Sequence, residues 1–433
     1  MTSTPRPIFE SHGDFVDQDF TILRSSIKSV GLYMDEFPLE LEASANFLSA
    51  RGYLRCYAQN SLTYSTYRGH VERLILWSLI IRKKSLKDLR RADAEAYLAF
   101  CKAPPASWVG PVIRNRFIAC AEQDLSNSGL CPNPKWRPFT HRVPKQDSQL
   151  KLPENSDQSP TPDYQSSKGS MSNVFKIANG FYEYLVEEEF VSVNPFRKVS
   201  KKGQYSAPEQ DSNTSRALTP LQWDYVIDTA EAMAQAEPER HERTLFILTT
   251  MFSMYLRISD LVGRINWQPT MGDFRQDFDG NWWFHVIGKG DKSGKIAVRD
   301  EYIEKYLKRY RTFLGLNPLP DYREKTPLLK TLSGRSGLSD RQVRTLLQIV
   351  FDNALVRMRD EGREPYEMDS LRAASSHWLR HTSATFDAPF RSPKDLQFDL
   401  RHTNLATTQN TYYHSHDQER ALSVKRLRTR DRG

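Results

Sequence analysis

The side chains best suited to chemistry gather toward the C-terminal end of the chain. His377-Trp378-Leu379-Arg380-His381 places His377 and Arg380 three residues apart, which makes them neighbours on a helix. His402 follows in Leu400-Arg401-His402-Thr403-Asn404, and Tyr412 and Tyr413 stand side by side before His414. Upstream, Tyr255-Leu256-Arg257-Ile258-Ser259-Asp260-Leu261 sets one arginine in apolar surroundings, and Lys289 sits in Gly288-Lys289-Gly290-Asp291. Two arginines, two histidines, a lysine and a tyrosine form a set rich in donors and poor in acceptors, which suits a phosphate. Arginine forks bind non-bridging oxygens bidentately. Histidine and lysine exchange protons with bridging oxygens. A tyrosine hydroxyl is a candidate covalent nucleophile.

Each residue also has a plainer reading. Arg257 has Asp260 three residues on as an ion-pair partner. Lys289 would ordinarily be a solvated turn residue, and Lys292 competes for the same role. His377 and His381 have a metal-ligand spacing on a helix, but Trp378 stands where a zinc protease needs glutamate, so no metal is expected. A lone tyrosine is more often a core or interface aromatic. The functional reading rests on all six occurring together.

Those residues need elements to position them. Thr219-Pro220 reads as an N-cap and first-turn proline, and an apolar-rich helix follows over about 241–254. Trp282 to Ile287 and Lys295 to Val298 read as two strands of a hairpin around the Gly288–Asp291 turn. In the first half, Tyr67, Val71, Leu74, Ile75 and Leu79 recur at helical steps, and Phe175, Ala178, Tyr182, Leu185 and Val186 mark a helix from about Ser172 that Asn194-Pro195 should stop. The expected fold class is mainly α with a small β-sheet. Residues 1–40 read as a weakly structured arm, 41–196 as an all-helical domain, 197–216 as a linker and 217–433 as a second, mainly helical domain with the small sheet. Residues 145–172 are too polar to order themselves and read as a flexible insertion. The segment 104–139, rich in Trp, Pro and Arg, is either an added binding surface or a structural insertion.

The chain carries a net charge of +8 with a pI near 9.1, which favours a polyanionic partner. Arg197, Lys198, Lys201 and Lys202 in the linker are candidates for sequence-neutral contacts to a phosphate backbone. No run approaches the roughly 18 apolar residues of a membrane span, and MTSTPRPIFE lacks the pattern of a secretory signal. Cys56, Cys101, Cys120 and Cys131 form no C-x-x-C pair; they read as small buried hydrophobes in a reducing cytoplasm.

In order and approximate separation, YLRISDL, IGKGDKSGKIAV, SSHWLRHTSAT, LRHTNLATT and NTYYH resemble the tyrosine recombinase (phage integrase) family. TYSTYRGHVERLILW and FYEYLVEEEFVSVNPF resemble that family's helical core-binding domain. The resemblance implies a core-binding domain and a catalytic domain that embrace double-stranded DNA. It implies that Arg257 and Arg380 clamp the scissile phosphate and that Lys289 is the general acid for the departing 5′ oxygen. His377 and His402 would stabilise the transferring phosphoryl group, Asp260 would hold the first arginine, and Tyr412 would attack to give a 3′-phosphotyrosyl link. Arginines take the place of metal ions, so no cofactor is implied. Three departures stand out: Arg401 and Tyr255 occupy positions where the family commonly has glycine, and two tyrosines are adjacent, of which Tyr412 fits the spacing to His414.

The implied reaction is site-specific strand exchange by a homotetramer on two DNA sites. It would serve a mobile element entering or leaving a bacterial chromosome, in the cytoplasm at the nucleoid, with room for accessory recombinases or helper proteins. Ala421, Leu422, Val424 and Leu427 offer an apolar face by which the tail would dock on a neighbouring protomer. The rivals are an inactive DNA-binding or architectural relative and a type IB topoisomerase-like relaxing enzyme.

Overall fold

The computed structural model describes residues 4–16, 27–120, 129–141, 164, 166–199, 216–264, 266–288, 293–413 and 424–425. The chain divides into two compact units, Met1–Asp211 and Ser212–Gly433. The described residues are mainly helical with small sheets, the expected fold class, and none of their helices is long and apolar enough to cross a membrane.

The first unit holds helices α1 (His12–Val16), α2 (Lys28–Asp35), α3 (Ala43–Arg55), α4 (Ser61–Trp77), α5 (Arg91–Lys102) and α6 (Lys168–Glu187). Between α5 and α6 lie four short strands, β1 (Val109–Gly110), β2 (Phe117–Ala119), β3 (Leu130–Pro132) and β4 (Phe139–Thr140). Asn60 caps α4 by accepting from the Thr63 N–H at 2.9 Å, and the helix buries Tyr64, Val71, Leu74 and Ile75. Helix α6 starts four residues before the expected Ser172, capped by Ser167, and ends well before Asn194-Pro195. Its chain turns off at Glu189, which takes a left-handed φ of 55°, with the Phe190 N–H bonded back to the Leu185 carbonyl.

Three expectations need correction here. The N-terminal segment is not a loose arm: Ile8 and Phe9 are fully buried, and Phe9 stacks on Phe47 at 5.3 Å. The buried Glu72 carboxylate accepts from the Ile8 N–H at 2.8 Å and from Arg116, while Glu10 pairs with Arg51 in the interior at 2.7 Å. A segment this short shows no periodicity, so composition hid its role. The cysteines are not all inert hydrophobes: Cys120 and Cys131 form a disulfide across the β2–β3 hairpin, their Cα atoms 5.1 Å apart because Ile118 pairs with Cys131. Cys56 is exposed, and only Cys101 is a free buried thiol. The first unit is not all-helical: segment 104–139 contributes β1 to β3 and the start of β4, and its aromatic residues Trp108, Trp136 and Phe139 are interior packing, with the Arg73 guanidinium 4.0 Å over the Phe139 ring. Most of the expected 145–172 insertion lies outside the described residues.

The second unit holds α7 (Pro220–Ala236), α8 (Pro238–Ser253), α9 (Ile258–Val262), an antiparallel sheet β5 (Phe274–Gln276), β6 (Trp282–Ile287) and β7 (Ser293–Ala297), and α10 (Asp300–Tyr302), which runs through a π-turn into α11 (Lys308–Phe313). Then come α12 (Asp340–Asp360), α13 (Pro365–Ala373), α14 (Ser376–Asp387), α15 (Pro393–Leu400) and α16 (Leu405–Tyr412). Thr219 caps α7 reciprocally with Gln222, at 3.2 and 3.0 Å, with Pro220 in the first turn. Helix α8 is buried from Thr244 to Ser253 on all sides and forms the axis of this unit's core. The sheet pairs Trp283 with Ala297 and Val286 with Gly294; the hairpin tip at 289–292 lies outside the described residues.

Phe9→Ala should cost about 3–5 kcal/mol of stability in urea unfolding of the whole chain, the price of a large aromatic removed from a closed core. A loss under ~1 kcal/mol would show that the N-terminal segment is peripheral.

Candidate active site

Tyr255, directly after α8, takes a left-handed φ of 52° that turns the chain into α9. Arg257 then stands at the N-cap of α9, its N–H donating to Asp260 Oδ2 at 3.0 Å. Asp260 is fully buried and also accepts from Arg264 at 3.0 Å and from Arg401. The plain reading of an Arg257–Asp260 ion pair is therefore not realised. The carboxylate fixes the Arg257 backbone, while no hydrogen bond to the Arg257 guanidinium occurs among the described residues. Burial and the nearby Arg401 both push the Arg257 pKa down. A guanidinium without an anion in such a place is prepared to receive one.

Arg380 lies on the inner face of α14, 1% exposed. Its guanidinium donates to the Tyr255 and Leu400 carbonyls and lies 3.2 Å from His402 Nε2. His402 Nδ1 is 2.9 Å from the Thr408 hydroxyl, so the consistent assignment puts its proton on Nδ1 and a lone pair toward Arg380. Burial, then Arg380 and Arg257, lower the His402 pKa to about 4, so the ring is neutral near pH 7. Burial and Arg257 bring Arg380 down to about 9, still charged at neutral pH.

Tyr412 ends α16 with its ring buried and parallel to the His402 ring, 6.4 Å away at 9°. Its hydroxyl is 2.8 Å from His381 Nδ1, and His381 Nε2 is 3.0 Å from Nε2 of the exposed His377. Burial pushes the Tyr412 pKa up to about 12, with Arg380 and Arg257 pulling the other way. Tyr413 points elsewhere and donates to the Arg391 carbonyl at 2.8 Å.

The structure thus brings Arg257, His377, Arg380, His402 and Tyr412 into one neighbourhood, through direct contacts or through the electrostatic influence of Arg257 on Arg380 and Tyr412. Lys289, Lys201 and Lys202 lie outside the described residues, as does the apolar tail apart from Val424. Arg197 and Lys198 are exposed, as backbone-contacting residues need to be. Three neighbouring residues have contacts that the sequence does not announce. His381 was weighed only for a metal spacing, although no metal-ligating cluster occurs among the described residues; its position four residues after His377 was the available signal. Arg401 adopts the left-handed φ of 52° that glycine would supply and ties itself to Asp260. Tyr255 does more than pack, since its hydroxyl donates to Asp387 and accepts from Arg391 at 3.0 Å.

Arg401→Gly should relieve about 1–2 kcal/mol of left-handed strain but forfeit a pair to a buried carboxylate worth about 3–5 kcal/mol. The expected net result is a loss of about 2 kcal/mol in urea unfolding; a gain would show the strain to dominate. The pKa values of His381 and His402 are both lowered to about 4 in the fold, so the unfolded chain binds more protons below its ordinary value of about 6.5. Their contribution to stability is complete above about pH 6.5 and is lost as pH falls toward about 4. The urea midpoint should drop over that window, and less steeply in His402→Gln.

No family model matches the chain. The tyrosine recombinase XerC of Thermodesulfovibrio yellowstonii is 27% identical over 253 residues, covering 56% of this chain and 70% of that relative. Among solved structures, the XerH site-specific recombinase bound to a palindromic difH substrate, a post-cleavage complex, superposes with a TM-score of 0.54 at 14% identity, covering 96% of this chain and 94% of that one. The Tn1549 transposon integrase in complex with a circular-intermediate DNA gives a TM-score of 0.50 at 14% identity, covering 88% and 98%. These structures share the fold of this chain, which is thus similar in sequence to a tyrosine recombinase and in fold to a site-specific recombinase and a transposon integrase.

Proposed function

We propose that the protein cuts and rejoins duplex DNA at specific sites through a 3′-phosphotyrosyl intermediate on Tyr412. The observation that carries this reading is the Tyr412 hydroxyl within the electrostatic reach of Arg380 and Arg257, two guanidiniums with no carboxylate bonded to either among the described residues. A phosphodiester entering there meets two cations at its non-bridging oxygens and a nucleophile opposite its leaving group. Neutral His402, held by Arg380 and Thr408, donates as charge grows on phosphorus once it takes the tautomer with its proton on Nε2 and accepts from the Thr408 hydroxyl at Nδ1, and His377 is exposed where it can donate too. Lys289 is the general acid in this reading and protonates the departing 5′ oxygen.

Because an ester to tyrosine replaces an ester to sugar, the bond energy is retained and rejoining needs no nucleotide. Arg197, Lys198, Lys201 and Lys202 supply sequence-neutral phosphate contacts whose strength falls with salt. The assembly is a homotetramer on two sites, with the tail bridging protomers, and the biological role is integration or excision of a mobile element. The similar proteins, a tyrosine recombinase, a site-specific recombinase bound to its substrate and a transposon integrase on DNA, support that direction.

Tyr412→Phe should abolish the covalent protein–DNA adduct on denaturing gels while duplex binding persists, and Tyr413→Phe should retain the adduct. An adduct that survives Tyr412→Phe moves the nucleophile elsewhere and overturns the assignment.

A further inference from the structure

We infer that His381 accepts the proton of the Tyr412 hydroxyl and passes its charge to His377 through a relay of two imidazoles. The inference rests on the strand-transfer reading and adds a residue to it. A tyrosine whose pKa is pushed up to about 12 is almost wholly protonated near pH 7, so attack requires a base in contact with it. Two histidines adjoin Tyr412, and their geometry separates them. His402 has both nitrogens engaged, by Arg380 at 3.2 Å and Thr408 at 2.9 Å, and lies parallel to the Tyr412 ring. It offers the hydroxyl no free lone pair. His381 instead directs Nδ1 at the hydroxyl from 2.8 Å, and its Nε2 meets His377 Nε2 at 3.0 Å with the rings edge to face.

One proton assignment satisfies every contact: Tyr412 O–H donates to His381 Nδ1, and His381 Nε2–H donates to His377 Nε2. As the Tyr412 oxygen bonds to phosphorus, its proton moves to His381 Nδ1, and the proton on His381 Nε2 moves to His377 Nε2. His377, exposed, releases its Nδ1 proton to water, and the phosphorus–oxygen bond to the 5′ carbon side breaks with a proton supplied by the general acid. His381 ends neutral and the electron pair of the Tyr412 oxygen is in the new ester.

The groups facing His381 are Tyr412 from α16, His377 and Arg380 from its own helix, Arg216 ahead of α7, and His402 after α15. Burial first, and then these cationic or protonatable neighbours, depress its pKa to about 4, which keeps it an acceptor but a weak one. A bound phosphodiester brings a negative charge beside the same arginines and raises the basicity of His381. The base is thereby strengthened by the substrate itself.

The first test uses the DNA-free full chain with nitrogen-15-labelled histidine. Near neutral pH His381 should be neutral with its proton on Nε2, and Tyr412→Phe should shift its Nδ1 signal. A proton on Nδ1, a cationic ring, or a signal indifferent to Tyr412→Phe overturns the relay. The second measures adduct formation on a duplex whose 5′-bridging oxygen is replaced by sulfur, so that the leaving group needs no proton. His381→Asn and His381→Gln should slow it by about 10²–10³-fold and make the rate climb about tenfold per pH unit, as hydroxide takes over, whereas the parent profile is flat. Parent-like rates and profiles in both variants overturn the inference. If the parent protein itself forms no adduct, strand transfer fails instead, and the nitrogen signals still decide the contact.

Discussion

The site depends on the burial of one guanidinium. A charge as enclosed as Arg380 is tolerated only if its donors are satisfied, and a broken contact would leave several kcal/mol of desolvation unanswered. The acceptors are the Tyr255 and Leu400 carbonyls and His402. Each carbonyl belongs to a chain reversal: Tyr255 is itself left-handed, and Leu400 precedes the left-handed Arg401. Two residues past each carbonyl come Arg257 and His402. One buried cation therefore sets the positions of the two side chains beside it.

Buried carboxylates perform the complementary task. Asp260 holds the Arg257 backbone, Arg264 and Arg401 together, and in the first unit Glu72 collects the Ile8 N–H and Arg116. In both places the acid is spent on architecture. With Asp260 committed to other donors, Arg257 is left without a carboxylate, and the local field stays positive. Burial first, and then that field, lowers the basicity of His377, His381 and His402.

Much of this was legible in the sequence. Helical spacing located α4, α6 and α8 within a few residues, alternation located β6 and β7, and Thr219-Pro220 marked the start of α7. The ordered motifs named Arg257, His377, Arg380, His402 and Tyr412, which the fold brings near one another. What escaped depends on contacts distant in the chain. The N-terminal segment is ordered by Glu72, more than sixty residues away, and no local pattern announces it. The Cys120–Cys131 bond follows from a strand register that spacing does not encode. The direction of the Tyr412 hydroxyl toward His381, and of Tyr413 toward Arg391, depends on how the end of α16 meets α14 and the segment before α15.

The two turns around Arg380 have a consequence for motion. Glycine at such positions leaves a turn free to swing between conformations. Here Tyr255 is moored to Asp387 and Arg391, and Arg401 to Asp260, so neither reversal can pivot without stranding a charged partner. The donor cradle is thus stiff before any ligand arrives, and little ordering entropy remains to be lost at the moment of binding.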